Sequence, residues 1–255
     1  MRFAVKFAYN GAQFSGYARQ PRQRTVEQTL LDMLCASKVM RDPKTSCFRT
    51  ASRTDRRVSA LGNVCAFDTE RSKEDVKKII AKIGHPDIYL YGAAVVAPDF
   101  YPRHAMRRVY RYYLQKEGLD VDTVLSTAAL FTGEHDFSNF ARVEPLKNPV
   151  RTIDSIVVEV QREFLILDFY AQTFLWNQIR RIVSALKKAG KGTLMFQAIE
   201  QALVHPEKRV DFQLAPSEPL ILKDVIYDIS FECLKNYKKT LQALETAIVT
   251  SLSEG

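Results

Sequence analysis

The sequence has no apolar run near the ~20 residues that a bilayer span requires. Its first stretch, MRFAVKFAYNG, alternates polar and apolar residues and lacks the unbroken apolar segment of a secretory signal. Four cysteines (Cys35, Cys47, Cys65, Cys233) are scattered without a C-x-x-C pair. These absences lead us to expect reduced thiols, a cytoplasmic location and no membrane partner. Four histidines (His85, His104, His135, His205) stand apart, with no H-x-x-H or H-E-x-x-H and no Cys/His cluster, which argues against a metal site. No P-loop and no G-x-G-x-x-G after a strand is present, so neither a nucleoside triphosphate nor a dinucleotide cofactor has support. The G-x-S-x-G elbow of the serine hydrolases is missing too. Any enzyme chemistry in this chain is expected to use no metal and no organic cofactor.

What the chain does have is apolar residues and positive charge. At 255 residues and 46% hydrophobic it supports one large domain or two ordinary ones. Its net charge is +8. The excess sits in short clusters: Arg22 and Arg24, Arg53 to Arg57, Arg103 to Arg111, Arg180 and Arg181, Lys187 to Lys191. A basic surface of this kind fits a polyanionic partner, but charge alone does not choose between RNA and DNA.

Periodicity sketches the elements. Residues 2–9 place Phe3, Val5, Phe7 and Tyr9 on one face and Arg2 and Lys6 on the other, a half-buried strand. Thr25-Val26-Glu27-Gln28 fits a capping box before a helix that buries Leu30, Leu31 and Leu34. Strands are expected at 46–51, 61–69 and 88–97, with a helix from Ser72 to Gly84. Residues 107–114 read as a strand with Arg108, Tyr110, Tyr112 and Leu114 on one face. A helix at 120–131 and a hairpin at 151–160 and 164–172 follow. Thr173 is then expected to cap a helix of about four turns ending near Gly190. A short helix at 194–204, a strand at 220–231 and a C-terminal amphipathic helix complete the pattern. Pro98 and Pro102 mark a boundary, giving two α+β units at 1–100 and 101–255.

Three stretches carry chemistry. Ser52-Arg53-Thr54-Asp55-Arg56-Arg57 sets one carboxylate among three arginines between two strand-like runs. Read alone, Asp55 fits either a structural ion pair or a carboxylate kept ionised to act on a polyanion. If the loop is extended, Arg53 and Asp55 share a side. Arg107 to Tyr113 is a basic, aromatic strand. Phe174 to Val183 reads as a helix whose buried stripe is Leu175, Ile179, Ile182 and Leu186. On that wheel Arg180 lies at the edge of the stripe, while Arg181 points nearly opposite, toward phosphate or water. His135-Asp136 is an adjacent pair best read as making structural turn hydrogen bonds.

These stretches resemble the TruA-type tRNA pseudouridine synthases. Ser52 to Ala60 is similar to that family's G-R-T-D-x-G-V-[HS]-A, and Arg103-His104-Ala105 through Tyr110-Arg111-Tyr112 to its R-x-x-A and R-x-Y-x-Y. Phe174, Ile179, Arg180, Ile182 and Val183 match F-x-x-x-x-[IV]-R-x-[IV]-V. FAYNGAQFSGYARQ resembles the family's opening, Gly133 to Phe140 its G-x-H-D-F-x-[NS]-F, and Ala215 to Tyr227 its closing motif. The resemblance spans about residue 3 to residue 229 and omits the C-terminal helix.

The resemblance implies the family's fold: two ferredoxin- or RRM-like α+β subdomains sharing a mixed, largely antiparallel sheet, with helices outside. It implies a cofactor-free isomerisation of uridine to pseudouridine in the anticodon arm of tRNA, at positions 38 to 40, by a homodimer. It assigns catalysis to Asp55, Tyr110 and Arg180. Substrate contacts fall to Arg19, Arg53, Thr54, Arg56, Arg57, Arg103 and Arg181. The segment Val58-Ser59-Ala60…Gly62-Asn63-Val64 resembles archaeal members and a eukaryotic-like branch that acts at other tRNA positions. Arg57 replaces the family's usual glycine, so it must adopt a glycine-like backbone or reshape the turn. The rival reading is a non-catalytic RNA-binding or chaperone protein on the same fold.

Overall fold

The computed structural model describes residues 1–253. The first half runs β1 (Arg2–Tyr9), α1 (Val26–Ala36), β2 (Arg49–Thr50), β3 (Ser59–Asp68), α2 (Lys73–Lys82) and β4 (Ile88–Val96). Next come β5 (Arg107–Gln115), α3 (Val121–Ala129), β6 (Gly133–Asp136), β7 (Val150–Ile153), β8 (Ser155–Val160) and β9 (Phe164–Ala171). The chain continues with α4 (Gln178–Gly190), α5 (Phe196–Val204), β10 (Leu220–Ile226), β11 (Glu232–Cys233) and α6 (Tyr237–Ser253). The class is mixed α+β with largely antiparallel pairing. Among the described residues no helix is long and apolar enough to cross a membrane.

The chain divides into two compact units, Met1–Met106 with the segment from Ile221 onward, and Arg107–Leu220. The C-terminal segment thus belongs with the first unit, whereas sequence pattern alone grouped it with the second. Backbone pairing explains this. β10 adds to β3 in parallel, Ile221 opposite Ser59 and Leu222 opposite Ala60. β11 pairs antiparallel with β4, and the Tyr237 ring stacks on Tyr91 at 5.4 Å.

In the first unit β1 is central, hydrogen-bonded to β3 on one side and β4 on the other, both antiparallel. It is buried on both faces rather than one. The second face is made of Ala4 and Ala8, which are small, and of two cations that find partners. Arg2 donates to Asp68 at 2.8 Å and to the Phe100 carbonyl at 2.9 Å; Lys6 pairs with Asp224 at 2.6 Å. Paired charges are tolerated where lone ones are not. The helix starts follow their caps: Thr25 Oγ1 accepts from Gln28 N, and Ser72 Oγ from Asp75 N.

In the second unit β9 pairs antiparallel with β5 and β8. Asp168 of β9 faces Arg111 of β5 and accepts from its Nε and Nη2 at 2.7 and 2.8 Å. This bidentate carboxylate raises the guanidinium pKa beyond its already high value. α3 packs on α4, close enough that a Cβ on Gly190 would meet Val124 Cγ2 at 2.6 Å. Phe140 stacks on Phe212 at 4.5 Å and meets Phe131 edge-on at 4.9 Å, forming the aromatic core of this unit.

Four local expectations differ from the structure: the strand expected at 46–51 is only Arg49–Thr50, and the arm expected at 151–160 breaks into β7, paired with β6, and β8, paired with β9. The strand expected at 220–231 ends at Ile226. The helix expected from Thr173 starts only at Gln178. Asn177 takes a left-handed backbone, φ +63°, and Trp176 is bridged to Arg142 instead of entering the helix. Gln178 accepts from Leu175 N at 2.8 Å and so closes the turn before the helix.

Candidate active site

In the first unit the Asp55 loop is docked against the N-terminal loop that follows β1. Thr54 is buried and forms the anchor. Its hydroxyl meets Tyr9 Oη at 2.8 Å, and its carbonyl accepts from Tyr17 N at 3.1 Å. Tyr17 is itself buried and donates to Thr50 Oγ1 at 2.8 Å; burial pushes its phenol well above the usual range, so it remains a donor. Asn63 Nδ2 holds the Ser52 carbonyl at 3.0 Å. Downstream, Val58 N donates to the Asp55 carbonyl at 3.2 Å, and Ser59 Oγ accepts from Gly11 N at 2.9 Å.

Thr54 points inward, while Arg53 is exposed and Asp55 half-buried. A carboxylate on a loop pinned at both ends loses little entropy when it engages a substrate. The hydrogen bonds also explain why two distant motifs occur together. Tyr9, Gly11 and Tyr17 of the opening stretch are the residues that hold the loop. Sequence reading missed them as positioning residues, although the stretch that carries them was read as part of the family resemblance.

Arg57 resolves in favour of strain. It sits at φ +67°, the left-handed region that glycine occupies without cost. Arg57→Gly is therefore expected to keep the turn. Relief of strain and the added unfolded-state entropy oppose each other, so stability should change by less than ~1 kcal/mol. Chemical denaturation checks this; a loss of more than ~2 kcal/mol would mean that the side chain, not the backbone, organises the turn.

A cleft of about 620 Å³ lies on the same unit. It brings together Arg19, Arg53 and Arg103 from the expected substrate set and adds Arg49, Phe48 and Tyr101. Asp55, Arg56 and Arg57 do not line it. Arg19 is partly committed to Glu27, at 3.8 Å. Cations beside aromatic rings suit phosphate and base together.

In the second unit Tyr110 is half-buried on β5, with its ring edge-on to Phe174 at 5.3 Å. Arg180 is also half-buried, and its Nε donates to the Ala215 carbonyl at 2.8 Å. Its positive charge acts on Tyr112. Burial raises that phenol, Arg180 opposes the rise, and the hydroxyl donates to Pro216 O at 3.2 Å. Arg181 does not point into open solvent as the helical wheel suggested. It pairs with Asp211, and its side chain is 21% exposed. Asp211 is held in place by Gln213 N, which sets the cation's direction. His135 and Asp136 make local structural bonds, to Thr132 O at 3.1 Å and from Ser138 N at 2.8 Å. Among the described residues no group of three or more His, Cys, Asp or Glu is arranged to hold a metal ion.

Comparison with known proteins now bears on this arrangement. A family model described as tRNA pseudouridine synthase matches residues 127–228. The tRNA pseudouridine synthase A of Thermococcus sibiricus is 42% identical over 238 residues, 92% of this chain and 86% of the relative. That of Pyrococcus abyssi is 41% identical over 249 residues, 95% of this chain and 92% of the relative. The Methanosarcina mazei protein of the same name is 38% identical over 228 residues, covering 89% and 85%. With identity at this level across nearly the whole of both chains, the protein belongs to the tRNA pseudouridine synthase family.

Proposed function

We propose that this protein isomerises uridine to pseudouridine in tRNA without a cofactor, with Asp55 as the catalytic carboxylate. The observation that carries the reading is the Asp55 loop: Thr54 is buried and pinned by Tyr9 and Tyr17, and it is flanked by an exposed Arg53 and a half-buried Asp55. In the reaction the uracil N1–C1′ bond breaks, the base turns, and a C5–C1′ bond forms, while the C5 proton is lost and N1 gains one. Nothing is oxidised and no triphosphate is consumed. The needs are an ionised carboxylate, a base turned out of its stack and a site that holds free uracil.

Tyr110 takes the role of stacking on the base and assisting removal of the C5 proton. Arg180 is the basic residue of the proposed catalytic set. Arg19, Arg53, Arg56, Arg57, Arg103 and Arg181 contact the RNA backbone, with Thr54 as the anchor of the loop. The substrate region is the anticodon arm, at positions 38 to 40. The working unit is a homodimer in the cytoplasm, which mass photometry of the purified protein checks.

Incubating the protein with an unmodified tRNA transcript and mapping pseudouridine tests the reaction. Pseudouridine is expected at positions 38 to 40. Its formation elsewhere would move the site assignment and leave the reaction intact. Tight tRNA binding with no isomerisation would favour the non-catalytic RNA-binding reading. Neutralising Arg56 and Arg57 together should reduce the slope of log affinity against log salt by about 1 to 2.

A further inference from the structure

Trp176 is the single tryptophan of the chain. It lies in the turn that replaces the expected first turn of α4, and it is 46% exposed. The guanidinium of Arg142 lies over its ring, 4.2 Å from the centroid. Backbone bonding fixes the pair, because Arg142 N donates to Trp176 O at 2.8 Å. The turn is closed behind it by the Gln178 side chain on Leu175 N and by Asn177 at φ +63°. Arg142 is exposed, and among the described residues no carboxylate forms an ion pair with it.

Each feature has a local cost. A half-open indole leaves apolar surface in water. A left-handed asparagine stores strain, and the helix gives up a turn. The core of the unit gains little from a side chain held outside it. What the arrangement supplies is a rigid aromatic plane with a planar cation beside it. That combination stacks unpaired nucleobases and balances the adjoining phosphate. Arginine suits this better than lysine because its own plane stacks.

We propose that Trp176 and Arg142 form a stacking platform for one unpaired base of the RNA substrate, outside the carboxylate chemistry. The proposal rests on the reading that the protein acts on tRNA. Trp176 is a positioning residue here: it orders the RNA and touches no reacting atom.

The single tryptophan makes the test direct, since emission excited in the indole band, beyond tyrosine absorption, reports this site alone. Titrating the wild-type protein with an unmodified tRNA transcript should quench the emission in a saturable way. Trp176→Ala should raise KM for tRNA by ~5- to 100-fold and leave kcat within ~3-fold. Trp176→Phe should recover most of the loss. Arg142→Ala should raise KM and lower the salt slope by ~1, whereas Trp176→Ala should leave the slope unchanged. If the wild type forms pseudouridine but its emission is unchanged at saturating tRNA and Trp176→Ala keeps its KM, the platform is wrong and the activity stands. If no pseudouridine forms, the activity reading fails, and saturable quenching by tRNA still supports the platform. Emission that shifts with protein concentration alone, with Trp176→Ala dissociating the oligomer, would assign the patch to a subunit contact and overturn the proposal.

Discussion

Asp55→Asn is expected to reduce pseudouridine formation by at least ~10,000-fold while tRNA affinity stays within ~3-fold of wild type. The substitution keeps shape and removes only the negative charge. The anchors of the loop are untouched: Thr54 still meets Tyr9, Tyr17 N still donates to the Thr54 carbonyl, and Gly11 N still meets Ser59. A neutral amide neither attacks a sugar or base carbon nor removes a sugar proton, so every version of the carboxylate's role predicts the same collapse. On the proposed reading the arginines hold affinity, and loss of an anion near a polyanion tightens binding slightly if it does anything. Asp55→Glu separates charge from position. It keeps the carboxylate but advances it by one methylene on a pinned loop, and a displacement of about 1 Å costs roughly 100-fold. Single-turnover assays with equal folded fractions check both variants. An Asp55→Asn protein that kept a tenth of the wild-type rate would remove Asp55 from the chemistry.

How much of this site was legible depends on whether its signal is local. The caps at Thr25 and Ser72 are written in four consecutive residues, and both form as expected. The strand at Arg107–Gln115 follows from alternation alone. The left-handed backbone at Arg57 is one of the two outcomes that its place at a family glycine allowed, because steric limits on φ are a property of the residue itself. The late start of α4 was not legible. Phe174 to Asn177 satisfy a helical wheel, but the bridge from Arg142 to Trp176, the Gln178 side chain on Leu175 N and the left-handed Asn177 hold them out of the helix. The direction of Arg181 failed for a related reason. A wheel gives an angle, not a partner, and Asp211 supplies one from a loop beyond the next helix. The double burial of β1 was missed because a lysine and an arginine marked one face as wet. Asp68 and Asp224 neutralise those charges, and both lie far away in sequence. The return of β10 to β3 is a non-local pairing with no local trace.

The second large effect is expected at a residue with no side chain. Gly11→Ala should destabilise the first unit by ~2–3 kcal/mol and lower kcat by roughly 100-fold in the protein that remains folded. The reason is steric. A Cβ on Gly11 would stand 2.2 Å from the Val58 carbonyl oxygen, 2.3 Å from its carbon and 2.8 Å from the carbonyl carbon of Arg57. All three are backbone atoms, so no rotamer change relieves the clash. Either the turn at Gly11 or the segment after Asp55 must retreat. The Gly11 N to Ser59 Oγ bond of 2.9 Å stretches or breaks as it does so. Val58 N is also the donor to the Asp55 carbonyl, so movement there is passed to the carboxylate directly. Gly84→Ala is the matched control. Nothing lies within 4 Å of its added Cβ, and the change should leave stability within ~1 kcal/mol and the rate unaltered. Denaturation curves give the first effect and single-turnover rates the second. A Gly11→Ala protein with wild-type stability and rate would show that the close approach to Val58 does not set the position of Asp55. Loss of stability with an unchanged rate would confine the contact to folding and leave the carboxylate held by Thr54 alone.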